Sequence, residues 1–580
     1  MKLSKKVQGM QYSPIRRFNK FGFDAEAKGI KVYHLNIGQP DIETPEVFTK
    51  AIEEYDQKVI AYAESGGMNV LHDAIIKYFE RYDVHYTRDN LLVTNGGSEA
   101  LSMIFTTILN EGDNVLIAEP YYTNYSTFAA QAGGFIKPIT TKAEDGYHYA
   151  KKELIEAAID EKTKAICCIS PGNPTGNVLT LDEMKLICEI AKEHDLWIVS
   201  DEVYREFAYD GREVTSFAML EEYADRVLIV DSVSKRFSAC GARIGFIATK
   251  SELFMDGAMK IAQGRLCSPT VDQIGAAAMY GLPESYYAEM KAEYEGRRDV
   301  VYEELMKIPG VICQKPGGAF YMTAKLPVED VEDFLMFLLT EFNDNNETVM
   351  FAPAQGFYAT PGLGKDEMRM AYVLNQKDLR RAVELIRLGL DFAKTNVRSS
   401  VFICWGAQAA LYYYYGIPKI LLPQKLFGVF EQKVVRPWNP LVRGFDELFY
   451  APHSRHTTVD ESALRQNKEL RILAESAQSG IHIVSTEEGR QIFIMGHQEY
   501  DKDTLAKEYW RDQAAGMDTD VPLNYFRNDN PEGEILFRWR GHGALLFSNW
   551  LNYYVYQSVP YDIEEIRKGI RELSADLGEE

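Results

Sequence analysis

Cysteine is scarce in this sequence, with seven residues among 580, several of them inside apolar runs such as AICCIS. No CxxC pair and no Cys/His cluster is present, so neither a disulfide framework nor a metal site is expected. Positive charge is also short. Lys and Arg number 63 against 85 Asp and Glu, a formal net charge of -22. Broad binding to nucleic acid or to an anionic membrane is therefore not expected. Such a surface still allows a pocket that gathers arginines around an anionic substrate. No unbroken apolar run of about 18 residues is long enough to cross a bilayer. The basic start MKLSKKVQGMQYSP has no apolar stretch behind it that would mark a leader. Internal repeats and low-complexity tracts are missing too, and a cytoplasmic location is the expectation.

What is there reads as globular protein. Apolar residues make up 46% and charged residues 26%, and 580 residues exceed one hydrophobic core, so two to four domains are expected. From about 90 to 280, LLVT, NVLIAE, AICCIS, LWIVSDE, RVLIVDS and RIGFIAT read as strands between amphipathic stretches such as LDEMKLICEIAKEHD. Strands apolar on both faces and separated by helices imply an α/β unit with a mostly parallel sheet. Ligands then belong at the C-terminal strand ends. The expected division is 1–45 as an N-terminal arm with part of a small domain, 46–284 as a large domain, 285–390 as the small α/β domain and 391–580 as a further unit. The seam has no linker composition: LRRAVELIRLGLDFAKTNVRSS reads as one continuous helix.

Six motifs carry chemistry. DSVSKRFSACGARIG, residues 231–245, ends a strand in small polar residues and then presents Lys235. An amine held there can form a Schiff base once its surroundings depress its pKa, while Ser232, Ser234 and Arg243 can hold a phosphate. TNGGSEALSM puts glycines and a serine at a strand-to-helix turn, an anion seat around Gly97, Ser98 and Glu99. SPGNPTGNVLT is a rigid turn that points Asn173 at a ligand. WIVSDEVYREF delivers Asp201 at an apolar strand end, with Tyr204 three residues on. A buried acid needs a cationic partner, and a protonated pyridine nitrogen would serve. Near residue 401, VFICWGAQAALYYYYG sets Cys404 between a strand and a helix, where amides and the helix dipole favour thiolate. QIFIMGHQE supplies His497 and Glu499 on one face, as a thiol nucleophile requires. Taken singly, a surface lysine, an ordinary turn or a core cysteine explains each motif; their combination does not reduce that way.

Through about residue 390 the chain resembles the fold type I pyridoxal-phosphate aminotransferases of the aspartate aminotransferase class. The resemblance implies the fold type I architecture: a large domain with a mostly parallel seven-stranded sheet, plus a small α/β domain. It implies pyridoxal 5'-phosphate as cofactor, Lys235 as the residue that holds it covalently and moves the α-proton, and Asp201 at its ring nitrogen. Tyr204 and Asn173 match contacts to its ring oxygen, and Ser98, Ser232 or Ser234, and Arg243 match phosphate ligands. Tyr122 in EPYYTNY takes the ring-stacking position, and Tyr62 in YAESGG matches a tyrosine reaching a neighbouring subunit's phosphate, so a homodimer with shared sites is implied. Arg369 in EMRMAYV matches the clamp for the substrate α-carboxylate, with Gly38 of LNIGQPD opposite. The implied activity is transamination between an amino acid and a 2-oxo acid. Aspartate-like, aromatic and neutral donors all stay open, and Arg265 is a candidate second cation. The same cage also serves C–S lyases, cyclopropane-forming synthases and non-catalytic binding proteins.

From about 391 the chain resembles the homoserine O-acyltransferases (succinyl- or acetyl-transferring), of class I glutamine amidotransferase architecture. LLPQKLFGVF, APHSRHTTV, GHQEYDKDTLAKEYWRD and LLFSNWLNYYVYQ carry the likeness. It implies Cys404 as acyl acceptor, His497 as base, Glu499 as its orienter and Arg511 as holder of the homoserine carboxylate, with Arg455 lining that pocket and acyl-CoA as donor. Only the later part of such an enzyme is represented. The first strands of its doubly wound sheet, an active-site lysine and half of the oxyanion hole are missing. The expectation is therefore an incomplete amidotransferase-like tail without transferase activity, as if a deletion had joined two genes. A bifunctional transaminase–acyltransferase is the alternative.

Overall fold

Short apolar runs buried on both faces build the first unit. A computed structural model describes residues 3–10, 13–395, 397–514, 516 and 519–557. It divides into Met1–Arg387 and Leu388–Glu580. Residues 558–580 of the expected last domain, and Asn396 of the expected seam helix, lie outside the described residues.

Seven strands make the large sheet of the first unit: β1 (Leu91–Thr94), β2 (Asn114–Glu119), β3 (Phe135–Thr140), β4 (Thr163–Ile169), β5 (Trp197–Asp201), β6 (Val227–Ser232) and β7 (Gly245–Ala248). Their order is β1-β7-β6-β5-β4-β2-β3, all parallel except β7, which runs against β1 and β6. Successive residues enter opposite cores. Leu116, Ile166, Ile198 and Ile229 join one apolar cluster, while Val115, Cys167, Val199 and Leu228 join the other. Each such side chain contributes about 1.5–3 kcal/mol by leaving water. The strand not read from its own residues is β3, FIKPIT, an edge strand whose half-buried positions hold Lys137 and Pro138.

Register fixes what the strand ends present. Ile169 lies opposite Asp201, Asp201 opposite Val230, and Gly245 opposite both Ser232 and Thr94. The ends of β4, β5 and β6 thus share one rim with the start of helix α1 (Gly97–Ile108). Gly245 permits that closeness, since a Cβ there would fall 2.6 Å from the Gly96 carbonyl carbon and 2.8 Å from the Gly97 nitrogen. A smaller four-stranded antiparallel sheet holds Glu367–Ala371, where Arg369 pairs with Thr323 and Ala352. Helix α2 (Glu284–Leu305) precedes it, and helix α3 (Gln376–Thr395) runs without a break through the boundary between the units.

The second unit contains β8 (Ser400–Ile403), β9 (Lys419–Val434), β10 (Leu448–Val459), β11 (Leu470–Ser476), β12 (Gly480–Thr486) and β13 (Gln491–Ile494), with helix α4 (Trp405–Tyr415) after β8 and α5 (Thr504–Ala514) later. The strands form one sheet in the order β8-β13-β12-β11-β9-β10. Only β8 and β13 are parallel neighbours among the described residues, so this is a mixed sheet and not a doubly wound one. The tail is better formed than expected. Phe493, Val484 and Leu411 lie in one buried cluster, Ile492, Ile494 and Leu473 in a second, and Phe427, Tyr525 and Trp539 in a third. The antiparallel partners complete the far side of β13, leaving β8 as a half-buried edge and not a sheet broken through its middle.

Candidate active site

The rim of the large sheet opens into a cavity of about 490 Å³. It is lined by Gly38, Gly97, Ser98, Tyr122, Asn173, Asp201, Tyr204, Ser232, Ser234, Lys235, Arg243 and Arg369. The structure therefore brings together most of the residues singled out from sequence. Three do not line it. Glu99 accepts from the Asn95 amide at 2.6 Å and pairs with Arg265 at 3.4 Å, because a carboxylate gains by turning away from an anion seat. Arg265 is in turn occupied by the Val93 and Ser65 carbonyls, which removes it as the second substrate cation. Tyr62 is 81% exposed.

Asp201 is buried, with no ion pair among the described residues; the Tyr125 hydroxyl donates to it at 2.5 Å and the Val203 amide at 3.2 Å. Burial pushes its carboxyl up to about 6, against the lowering effect of those hydrogen bonds. Lys235 Nζ donates to the Gly38 carbonyl at 2.9 Å. The Tyr204 and Tyr321 hydroxyls lie 3.0 Å apart. Tyr321 also fixes residue 38 as glycine, because a Cβ there would meet its hydroxyl at 1.8 Å. Arg369 is 1% exposed, donates to Asn173 Oδ1 at 3.2 Å and to the Asn36 carbonyl, and stands 4.6 Å from the centre of the Tyr321 ring. Burial lowers its pKa and Nε has no hydrogen-bond partner, so a bound carboxylate would relieve both. Arg243 sits in the left-handed region at φ 53 with Nη2 on the Asn95 carbonyl, over the start of α1.

These features fit pyridoxal phosphate. The helix start with Ser98 and Arg243 suits its phosphate, the uncompensated Asp201 its ring nitrogen, and the Lys235 amine its aldehyde. Sequence reasoning missed Tyr125, Tyr321 and Arg16 as cavity residues. Tyr125 stood within EPYYTNY, but Tyr122 precedes the helix that starts at Asn124, so no local periodicity links the two.

A second constellation lies within the second unit. Parallel pairing sets Ile403 opposite Ile494, so both strands end at one rim, with Cys404 one residue beyond and His497 three beyond. Cys404 has φ 50 and ψ -115, a strained turn between β8 and α4. His497 Nδ1 is 2.6 Å from Glu499 Oε1, and Tyr500 stacks on the imidazole at 4.0 Å. Burial opposes its charge, but hydrogen bonds to Cys404 and Glu499 raise His497 to about 9. Arg455 is buried against the Ser479 and Thr457 carbonyls. Arg511 is 68% exposed and bonded to Asp512 at 2.6 Å.

Comparison with known proteins accounts for both sets. The family model for aminotransferase class I and II matches residues 30–386, and that for homoserine O-succinyltransferase matches 379–561. Their overlap falls inside α3. A Thermus thermophilus aspartate aminotransferase double mutant superposes with TM-score 0.62 at 27% identity, covering 67% of this chain and 100% of that one. An alanine aminotransferase from Pyrococcus furiosus does so with TM-score 0.62 at 29%, covering 68% and 100%. A homoserine O-acetyltransferase of Bacillus cereus (strain AH187) is 57% identical over 178 residues, 31% of this chain and 59% of that protein. The chain thus spans less than two thirds of that relative's length. With a model matching well over half of its residues, the chain belongs to the class I and II aminotransferases and carries a homoserine O-acyltransferase-like domain behind them.

Proposed function

We propose that the first unit moves an amino group from an L-amino acid to a 2-oxo acid in two alternating half-reactions. The observation that carries this is a single cavity joining a lysine amine, a buried acid without a cation, and a buried arginine with an unpartnered nitrogen. Bound pyridoxal phosphate would supply the electron sink and store the amino group. Asp201 keeps the ring nitrogen charged, and its burial strengthens that pairing. Arg369 and Asn173 orient the α-carboxylate, and Lys235, held near Gly38, takes and returns the α-proton. Tyr122 and the Tyr204–Tyr321 pair would pack and hydrogen-bond around the ring. The exposed Tyr62 is assigned to a second copy's site, in a homodimer that sedimentation would detect. The test is a single half-reaction, with an amino acid added alone to the holoenzyme. One equivalent of 2-oxo acid, with the amino group retained, supports transamination. Ammonia release would point to a lyase instead, and no reaction with any donor sinks the reading.

The geometry at Cys404 favours a second activity, acyl transfer from an acyl-CoA thioester to the hydroxyl of homoserine. The thiolate attacks the thioester carbonyl and the departing CoA sulfur takes the proton from His497. The homoserine oxygen then attacks the acylated Cys404, giving its proton to His497 and releasing the thiolate. Glu499 orients the imidazole throughout. Arg511 is assigned the homoserine carboxylate, exchanging Asp512 for it. This reading replaces the inactive remnant expected from sequence, because the triad is assembled within the residues present. Labelled acyl-CoA should acylate Cys404 and yield O-acylhomoserine, and Cys404→Ser should abolish both without changing transamination. Absence of the label from Cys404 removes the second activity.

A further inference from the structure

Four cations line the cofactor cavity of a chain whose net charge is -22: Lys235, Arg243, Arg369 and Arg16. Transamination as proposed above uses three, one for the cofactor aldehyde, one for its phosphate and one for the substrate α-carboxylate. Arg16 is left over. It is exposed, and among the described residues its side chain has no hydrogen bond and no ion pair, although acids outnumber bases in the sequence. Its field reaches the hydroxyl of Tyr122, as does that of Arg369.

The backbone that carries it is held in place. A Cβ on Gly356 would meet Pro14 at 2.4 Å, so a glycine lets this segment dock. Ile15 packs against Ala352, Ala354 and Phe357. The Asn36 side-chain amide donates to the Ile15 carbonyl at 3.3 Å and to Asn19 at 3.1 Å, while the Asn36 carbonyl accepts from Arg369. One residue thus ties the turn bearing Arg16 to the arginine that faces the α-carboxylate.

We propose that Arg16 anchors the distal carboxylate of the substrate, so that dicarboxylic amino acids of the aspartate and glutamate kind, with their 2-oxo acids, are the preferred class. An unpaired guanidinium beside a cavity already committed to one carboxylate offers a second carboxylate a charge-assisted, bidentate partner. A neutral or aromatic side chain would leave that charge without a partner. The inference rests on the transamination reading and is tested separately from it.

The test titrates holoenzyme with succinate, a dicarboxylate that has no amino group to transfer, and with propionate. Arg16→Gln should weaken succinate by about 10–100-fold and leave propionate within about twofold, while Arg16→Lys retains part of the affinity. The ratio of kcat/KM for aspartate or glutamate over alanine or phenylalanine should fall by a similar factor. Equal succinate affinity in the wild type and Arg16→Gln overturns the proposal, as does a wild-type preference for monocarboxylic donors. If no donor of either class reacts, transamination fails while the succinate titration still decides the role of Arg16. Because Arg16 is exposed, its replacement does not endanger the fold.

Discussion

Replacing Glu499 by Gln isolates the electrostatics of the second site without any knowledge of the acyl donor. In the wild type, His497 titrates at about 9 because Cys404 and Glu499 stabilise its charged form. A hydrogen bond to a charged group contributes about 1.5–3 kcal/mol. The Glu499 side chain is 37% exposed, so solvent screening favours the lower end, near one pKa unit. His497 should then titrate below its wild-type value, and alkylation of Cys404 at neutral pH should slow by up to about tenfold. The assay is alkylation of Cys404 by iodoacetamide from about pH 6 to 10, followed by peptide mapping, since Cys240, Cys267 and Cys313 are also only half-buried. Cys404 should be alkylated more slowly in the variant than in the wild type at neutral pH. A histidine raised from 6.5 to about 9 stabilises the fold fully below 6.5, and that contribution is lost as pH rises through about 9. Identical alkylation profiles for the two proteins would refute the assembled triad.

Two further outcomes test the first site. Asp201 is raised from 3.8 to about 6 by burial. Cofactor-free protein should therefore lose stability relative to Asp201→Asn as pH rises from about 4 to 6, by about 3 kcal/mol, and no further above that range. Hydrogen exchange at the β5 amides of both proteins measures the difference, and a pH-independent difference would contradict it. Gly38→Ala would place a methyl group 1.8 Å from the Tyr321 hydroxyl. The displaced ring should lose its contact with Tyr204 and cut kcat/KM for the amino acid by about 100-fold, with far less change in cofactor content.

Much of the first site was legible because its chemistry sits at strand ends. Asp201 closes an apolar run, and Ser232, Ser234 and Lys235 close or follow another, so reading both runs as strands of one parallel sheet put them on one rim. Tyr321 and Arg16 were not legible, since they join the cavity from segments far away in sequence, and only tertiary packing brings them there. Glu99 shows the converse failure. Its neighbours Gly97 and Ser98 line the cavity, but helical geometry turned the Glu99 side chain toward Arg265. In the second unit the strand-to-helix turn at Cys404 and the His497–Glu499 spacing were readable locally. Strand direction was not, because apolar alternation is the same in parallel and antiparallel neighbours, and β9 through β12 proved antiparallel. The seam helix was legible from its lack of linker composition and is seen as α3 to Thr395, but residues 397–399, read into it, are not helical and Ser400 already opens β8.

The lysine just beyond β6 is the residue whose chemistry matters most to the first site. Purified protein should be supplied with pyridoxal phosphate, reduced with borohydride, digested and mapped by mass spectrometry. A phosphopyridoxyl group on the peptide containing Lys235, absent from Lys235→Ala, is the expected result. A protein that takes up no pyridoxal phosphate, or that carries the group only on other lysines, would contradict it.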